Sequence, residues 1–505
     1  MKRKHTFAAI LAAILAAILA ALLLLPTFAS CAASPDEGET QASQTTNNET
    51  EDGDYLKDAL PNDLNYGGDT IVFINDIASE SLPDEIYAES LNSDPVNDII
   101  FERNKAVESR LNVKIDRVLA KSDWVVNQVI TSVNSGSKDY DVMVERCWRG
   151  APKTVDGYFA NLRETEYLDF DQPWWMQGFN EVMHYKDLQF AVTGAMLLSS
   201  YRRTYTTVFN KKLFDDANQE YLYSYVENGT WTLDRQSALA PLLSRDNGNG
   251  AQDEDIDTFG FVTNTVTAPD AYWSTCDVDI IRVDNDAGYE WVFNTGRMHD
   301  VMEKLLKLYY NSDNGTLVLS DDDALQVQGR KIFSEGRAAM ATRCIIALED
   351  SQMRNMTDEY GVVPMPKFNE AQANYQSYMH DAFTIVAIPT TVQGERLSET
   401  SAVLEAMAST SYNLVRPVYY ETTLRTKIAQ DPQSSEMMEL IINGIYIDPG
   451  IVFSHNLDSY HHGIQSILLS KSNSTVSFFK TKEAVAKKQL KGLTKKLDKL
   501  ALNAE

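Results

Sequence analysis

Short strand patterns alternate with helical patterns early in this chain, and this order constrains the fold more than any other feature. Residues 69–74, 113–115 and 140–144 are short runs rich in apolar and β-branched side chains, which predict strands. Apolar residues at helical spacing predict helices over 96–111 and 124–133. Strands that alternate with helices form parallel β-α-β units, and open parallel sheets bind ligands beyond the carboxyl ends of their strands. The sequence therefore predicts an α/β fold with a ligand site at a sheet edge.

The first 31 residues have the organisation of an export signal. A basic start at 2–4 precedes an apolar run over 7–25, and small residues stand directly before Cys31. Cys31 resembles the lipidated cysteine of bacterial lipoproteins, although Phe28 occupies a position where such signals usually carry Leu. The alternative is that the apolar run stays in place as a transmembrane anchor. Both interpretations place the rest of the chain on the extracellular face of the cell membrane.

The segment over 32–65 is predicted to be a disordered acidic tether. It is dominated by polar and acidic residues and is nearly free of apolar ones over 34–54, so it cannot bury enough surface to offset the entropy cost of ordering. Such a segment acts as a spacer that holds a folded body away from the membrane.

Composition excludes some partners and does not exclude an enzyme. The hydrophobic content of 44% fits a soluble globular body, and the formal charge of −27 argues against a nucleic-acid partner, which requires a basic face. None of the common catalytic sequence motifs occurs. The adjacent pair His461-His462 lies in a polar stretch and is interpreted as a solvated turn.

The cysteines of the body do not form a recognisable framework. Cys147, Cys276 and Cys344 are too few for all of them to pair, and no CxxC spacing indicates zinc or thiol exchange. We expect no disulfide framework, although the redox state of the three thiols is left open.

Several segments resemble, in order and spacing, one large family of binding proteins. The segments that carry the resemblance are 96–113, 136–142, 173–175, 210–214, 229–232, 333–340, 360–367 and 419–427. They are similar to landmarks of the extracellular solute-binding proteins of family 1, the lipoproteins that serve ABC importers, with maltose-binding protein as a distant relative. The resemblance covers residues 66–455.

This resemblance implies a fold and a domain organisation. It implies a two-lobed periplasmic-binding-protein-like fold of type II, with a hinge of crossing segments and a ligand cleft between the lobes. The implied boundaries are 66–198 and 375–415 for lobe 1, and 199–374 and 416–479 for lobe 2. Separately, leucines at helical spacing among lysines predict an amphipathic C-terminal helix over 480–505. This helix is expected to dock onto the acidic body, and membrane contact is the alternative.

Candidate ligand-binding residues follow from the strand ends and from the crossing segments. Sugar recognition needs a flat aromatic ring beside polar groups that bind hydroxyls, and Trp148 stands among charged neighbours. The tryptophans at 174–175 are instead expected to be core residues. The candidates are Asn75, Asp76, Glu145, Arg146, Trp148, Arg149, Tyr201, Arg202, Trp231, Trp273 and Asp381.

An acidic loop resembles a degenerate EF-hand. Its candidate calcium ligands are Asp246, Asn247, Asn249 and Asp257, but the glycine and the closing acid do not fall in one register. An acidic turn held by its own side chains is the alternative, and we expect no cofactor.

These observations predict a monomeric, lipid-anchored solute-binding protein that is not an enzyme. We expect it to capture a carbohydrate and to deliver it to an ABC permease in the membrane. One alternative ligand class is another polar solute, such as a peptide or an anionic metabolite. Two other classes stay open, an exported glycoside hydrolase and a surface adhesin.

Overall fold

The computed structural model describes residues 55–76, 83–121, 124–249, 253, 255–284, 288–293, 295–311, 315–319, 327–428 and 431–504. The predicted export signal with Cys31, and the tether up to residue 54, lie outside the described residues. No helix among the described residues is long and apolar enough to cross a membrane.

The strands fall into two larger sheets and two small ones. In chain order they are β1 (Asp69–Asn75), β2 (Val113–Leu119), β3 (Val142–Arg146), β4 (Tyr205–Asn210), β5 (Phe259–Asn264), β6 (Ile281–Asp284), β7 (Gly288–Trp291), β8 (Thr316–Leu319), β9 (Ala338–Cys344), β10 (Tyr360–Val363), β11 (Ser377–Tyr378), β12 (Thr384–Ala387) and β13 (Ile445–Tyr446).

The helices lie between these strands and at the end of the chain. They are α1 (Pro83–Ile86), α2 (Pro95–Leu111), α3 (Val125–Ser135), α4 (Cys147–Thr154), α5 (Gln177–Met183), α6 (Ser199–Arg202), α7 (Lys211–Asp216), α8 (Leu222–Glu227), α9 (Leu233–Leu243), α10 (Ala268–Thr275), α11 (Thr295–Tyr310), α12 (Val327–Ser334), α13 (Ile345–Leu348), α14 (Ser351–Arg354), α15 (Glu395–Thr410), α16 (Arg416–Tyr419), α17 (Pro432–Asn443), α18 (Pro449–Val452), α19 (Gly463–Ser470) and α20 (Thr475–Ala504). Short 3₁₀ turns cover Leu162–Glu164, Ser454–Leu457 and Tyr460–His462, and π-helical turns cover Ser411–Val415 and Tyr420–Ile428.

The first sheet has the order β12-β3-β1-β2 and forms the centre of lobe 1. β1 pairs in parallel with β2 and with β3, whereas β12 returns from far along the chain and pairs antiparallel with β3. Ile71 and Phe73 of β1 join a buried cluster on one face, and Ile74 joins a cluster on the other. This alternation buries both faces of the sheet, as a strand's period of two requires.

The second sheet has the order β10-β4-β9-β5-β8 and forms the centre of lobe 2. β4 pairs antiparallel with both of its neighbours, while β5 is parallel to β8 and β9. The predicted two-lobed α/β fold is therefore confirmed. The small sheets pair β11 with β13 and β6 with β7.

The predicted early elements are present with modest shifts in their ends. Helix α2 begins at Pro95 because Asp94 caps it, accepting hydrogen bonds from the N–H groups of Val96 and Asn97. It ends at Asn112, whose backbone is left-handed at φ 48°. Strand β3 begins at Val142 and extends to Arg146, two residues beyond the predicted end.

The prediction of a disordered tether over 32–65 is wrong for its last residues, 55–65. Leu60 is buried against lobe 1. The backbone of Leu56 exchanges two hydrogen bonds with the Asn413 side chain, at 3.1 and 2.7 Å. Asp58 pairs with Arg110 at 2.6 Å. These contacts contradict disorder over 55–65. The physical reason is that Leu56 and Leu60 supply apolar surface, which the sequence over 34–54 lacks.

The lobes are joined by segments that hydrogen-bond to one another. The backbone N–H of His380 donates to the carbonyl of Arg203 at 2.9 Å. The hydroxyl of Ser199 accepts the backbone N–H of Thr384 at 3.0 Å and also contacts the Thr384 hydroxyl. The Thr384 hydroxyl in turn donates to the buried carboxyl of Glu85 at 2.8 Å. These contacts define a hinge of two adjacent crossing segments, 199–204 and 379–384.

The C-terminal helix packs onto the body, as predicted. Leu490, Leu493 and Leu497 are buried on its inner face. Lys496 forms an ion pair with Asp156 at 2.6 Å. The apolar stripe and the basic flank therefore serve docking within the chain.

The tryptophans at 174–175 are core residues, as expected. Both rings are 1% exposed, and their Nε1–H groups donate to the two carboxyl oxygens of Glu405 at 2.9 and 3.0 Å. The three body cysteines are also buried, and each is a free thiol.

Candidate functional site

Two strand ends of lobe 1 bring together four of the predicted residues. Asp76 follows β1 directly, and Arg146 is the last residue of the adjacent parallel strand β3. The Asp76 carboxylate lies 3.4 Å from a guanidinium nitrogen of Arg146 and 3.7 Å from one of Arg149. Trp148 lies between the two arginines in the chain. The predicted cluster at the carboxyl edge of this sheet is thus present.

Asp76 is almost fully enclosed by this arrangement. It is 1% exposed, and the side chain of Arg149 is only 7% exposed. Burial lowers the pKa of Arg146, and the charge of Asp76 partly offsets this effect. The two guanidiniums hold the buried carboxylate in place, because leaving any of these charges buried without a partner costs free energy.

Trp148 is surrounded by side chains from three parts of the chain. Its ring stacks on His455 at 5.1 Å with the planes inclined by 23°, and it contacts Trp124 edge to face at 5.5 Å. The guanidinium carbon of Arg149 lies 4.5 Å from the ring centroid. The aromatic group predicted for sugar stacking is thus in contact with protein groups in this conformation.

Glu145 occupies the predicted strand end but has a structural role. One carboxyl oxygen accepts the N–H of Val126 at the start of α3, at 3.1 Å, and the other accepts the N–H of Arg146 at 2.8 Å. Burial raises the pKa of Glu145 to about 7. Both oxygens thus bind backbone donors, and a contact between Glu145 and a ligand hydroxyl stays a prediction.

Asn75 is the unexplained polar group at this edge. Its side chain is 1% exposed, and neither its amide nitrogen nor its amide oxygen finds a hydrogen-bond partner among the described residues. A buried amide without partners costs free energy. Asn75 is therefore suited to a ligand that carries both a donor and an acceptor.

Asp381 connects this edge with lobe 2. Its backbone carbonyl accepts the N–H of Trp148 at 3.1 Å. Burial acts to raise the pKa of its carboxyl, but the imidazoles of His380, His461 and His462 outweigh burial and lower it. Asp381 thus lies on a crossing segment beside Trp148, and its predicted contact with a ligand stays a prediction.

Trp273 lies on the lobe 2 side of this region and is fully buried on α10. It is one helical turn from Asp270, whose pKa is raised by burial and by the charge of Asp381. The structure therefore brings Trp273 near the predicted site, although its ring is enclosed.

Three predicted residues lie away from the Trp148 cluster. Trp231 is fully buried in lobe 2, where its Nε1–H donates to the carbonyl of Pro364 at 2.9 Å. Arg202 forms an ion pair with Glu349 at 3.1 Å, and Tyr201 stacks on Tyr419. These contacts are within the protein, and the expected roles of the three residues in a cleft stay predictions.

The acidic loop is organised by its own side chains in its described part. Asp257 accepts the backbone N–H groups of Asn247 and Asp253 at 3.0 and 2.7 Å. The carboxyl of Asp246 accepts the N–H of Gly248 at 3.1 Å. The calcium ligands predicted here, which include Asn249, stay a prediction.

Histidine is the feature that the sequence interpretation missed. Four of the seven histidines lie in this region: His380, His455, His461 and His462. The predicted solvated turn at 461–462 is wrong for His461, which is 3% exposed. The signal available in the sequence was the concentration of rare histidines after residue 379. Their proximity to Trp148 depends on the return of the chain from lobe 2.

A separate groove of about 700 Å³ contains none of the predicted residues. It is lined by Tyr55, Tyr412, Arg416 and Tyr420, among others. It lies beside the π-helical turns.

Comparisons with known proteins support the fold. No protein-family model matches the sequence, and no curated protein matches it. The GacH receptor of Streptomyces glaucescens, solved in complex with acarbose, is 14% identical and aligns over 83% of this chain and 99% of its own, with a TM-score of 0.55.

Two further solved structures give the same result. The galacto-N-biose-/lacto-N-biose I-binding protein of Bifidobacterium longum, in complex with lacto-N-biose, is 11% identical over 88% of this chain and 99% of its own, at a TM-score of 0.56. UgpB of Mycobacterium tuberculosis, in complex with glycerophosphocholine, is 14% identical over 86% of this chain and 99% of its own, at a TM-score of 0.52. The chain therefore has the fold of the ABC-transporter solute-binding proteins, which confirms the predicted resemblance at the level of the fold.

Proposed function

We propose that this chain is the solute-binding component of an ABC importer and that it binds a carbohydrate between its lobes. The observation that carries the proposal is the convergence of Asn75, Asp76, Arg146 and Trp148 at the carboxyl edge of the lobe 1 sheet, next to the crossing segment that contains Asp381. Solved proteins with this fold were captured with acarbose and with lacto-N-biose.

The mechanism follows from the hinge. Two lobes connected by crossing segments close around a ligand that contacts both, because such a ligand has a higher affinity for the closed form. Trp148 would contact the apolar face of a sugar ring, and Asn75 would exchange hydrogen bonds with its hydroxyls. No covalent step is required. Lipidation of Cys31, after cleavage of the signal before it, would hold the protein at the extracellular surface, where the closed form would meet the permease.

The arginines at this edge favour an anionic solute as the second candidate ligand. Arg146 and Arg149 flank Asp76, and Arg203 lies near enough to Arg146 to lower its pKa further. Guanidiniums recognise carboxylates and phosphates with good geometry. An anionic metabolite is thus the second candidate, and UgpB shows that this fold accommodates a phosphodiester such as glycerophosphocholine.

The test is a thermal-shift screen of the full chain, purified in mild detergent, against sugars, organic acids and peptides. A ligand present at one hundred times its Kd stabilises the folded state by about 2.7 kcal/mol. A shift with sugars alone supports the first proposal, and a shift with acids alone supports the second. The same incubation is followed by product analysis, since cleavage of an oligosaccharide would contradict a binding role. No shift with any solute would contradict both and would favour an adhesin.

A further inference from the structure

Three side chains with metal-binding atoms converge beside the candidate site. One ligand atom from each of Asp270, His461 and His462 lies within 4.8 Å of the other two. Asp270 and His461 are each 3% exposed, while His462 is exposed. We refer to these three residues as the His-Asp cluster.

Two buried atoms of the His-Asp cluster have unmet hydrogen-bonding capacity. Gln465 donates to Oδ2 of Asp270 at 3.0 Å, and the indole N–H of Trp273 also approaches this carboxyl. Oδ1 nevertheless makes no hydrogen bond of good geometry among the described residues. Nδ1 of His461 is likewise without a partner there. Leaving such atoms buried and unsatisfied costs free energy, and a bound cation would compensate the carboxyl oxygen.

The elements that hold the cluster are packed together. Asp270 lies in the first turn of α10, and the histidines form the 3₁₀ turn that leads into α19. Helices α10 and α19 pack against each other. The Gln465 hydrogen bond to Asp270 has the form of the outer contacts that orient carboxylate ligands in metal sites.

The geometry points to a binding site for a divalent transition-metal ion, of the Zn²⁺ class, held by Asp270, His461 and His462. Two imidazoles and one carboxylate form a common protein ligand set for zinc and leave a fourth position open. Ligand atoms around a tetrahedral zinc lie about 3.4 Å apart, given metal–ligand distances of about 2.1 Å. The ligand atoms lie within 4.8 Å of one another, so they would move closer by about 1.4 Å or less to bind the ion.

The open position would lie in the part of the molecule where the solute is proposed to bind. Asp381 is close enough to all three members of the cluster for its charge to affect their pKa values. The ion would add a Lewis-acidic contact to the lobe 2 side of the cleft.

For the test, the full chain is purified in detergent and bound metals are removed with a chelator. ZnCl₂ is then titrated into the protein, and binding is measured by calorimetry. We expect one ion per chain, and Co²⁺ in place of Zn²⁺ should give the visible absorption of a tetrahedral site. Asp270→Asn and His461→Ala should each weaken binding by about a hundredfold. His462→Ala, at an exposed position, should weaken it similarly with no change in the unfolding temperature of the metal-free protein.

His184→Ala is the matched control, because it removes an imidazole outside the cluster and should leave the affinity unchanged. Absence of Zn²⁺ binding in the unaltered chain would overturn the inference. So would an affinity that is unchanged in both His462→Ala and Asp270→Asn, because the ion would then bind elsewhere. The titration contains no solute, so its outcome is independent of the thermal-shift screen.

Discussion

The indole of Trp148 stacks on the imidazole of His455, with ring centroids 5.1 Å apart and planes inclined by 23°. Trp148 belongs to the helix that follows the last parallel strand of lobe 1, whereas His455 belongs to a 3₁₀ turn near the end of the chain. The contact joins the edge of the lobe 1 sheet to the segment that carries the His-Asp cluster. A solute that uses the Trp148 ring has to replace or reposition a protein neighbour.

Trp148→Ala should therefore weaken solute binding more than it weakens the fold. Truncating a central aromatic contact costs about 2 kcal/mol, or roughly thirtyfold in Kd. Calorimetry with a solute identified in the screen measures this loss. Trp148→Phe keeps a flat ring and serves as the control, with an expected loss of less than about tenfold. Equal affinities for the Ala variant and the unaltered chain would exclude Trp148 from the ligand contacts.

Asp76→Asn should separate the two proposed ligand classes. The substitution keeps the shape of the side chain but removes the charge that holds Arg146 and Arg149, at 3.4 and 3.7 Å. Removing one partner of a buried ion pair costs about 3 kcal/mol of folding free energy, which denaturant unfolding would show.

The same variant should change the ligand preference. Two guanidiniums released from Asp76 would attract an anion more strongly, so the affinity for an acidic solute should rise and that for a neutral sugar should fall. A fall in affinity for every anionic solute tested would contradict the anionic alternative.

Much of the fold could be predicted because it depends on local patterns. The alternation of strands and helices over 69–146 predicts a parallel sheet, and β1 pairs in parallel with both β2 and β3. The ordered placement of residues 55–65 was missed because the few apolar residues at 55–60 carry no periodic signal.

The site could be predicted on one lobe only. Strand ends placed Asp76 and Arg146 correctly, since adjacent parallel strands end at the same edge. The roles of Trp231 and Glu145 depend on their acceptors and donors in space, which the sequence does not show. The convergence of His461 with Asp270 joins residues far apart in the chain, and only tertiary packing brings them together.

The buried carboxyls of Glu145 and Glu405 should each contribute less stability as the pH rises from about 4.5 to 8. Burial raises the pKa of Glu145 to about 7 and that of Glu405 to about 8, from an ordinary value of 4.5. In this range the folded state binds more protons than the unfolded state, so the free energy of unfolding decreases with pH. Thermal unfolding at a series of pH values measures the slope.

Glu405→Gln provides the matched variant for this slope, because it removes one of the titrating groups while keeping an oxygen acceptor for an indole N–H. The dependence on pH should become shallower above pH 4.5, although the overall stability falls. A slope identical to that of the unaltered chain would show that Glu405 does not titrate in this range.

Leu493→Ala should destabilise the folded body by about 2–4 kcal/mol, because it leaves a cavity where the C-terminal helix packs. Leu493 is 2% exposed, whereas Leu502 on the same helix is 72% exposed. Leu502→Ala deletes the same atoms from an exposed side chain and should change the free energy of unfolding by less than about 0.5 kcal/mol. Chemical denaturation measures the free energy of unfolding of both variants, which have the same length and the same amino-acid composition. Equal stabilities would mean that helix α20 does not dock through its leucine face, and the basic surface of the helix would then be available to another partner.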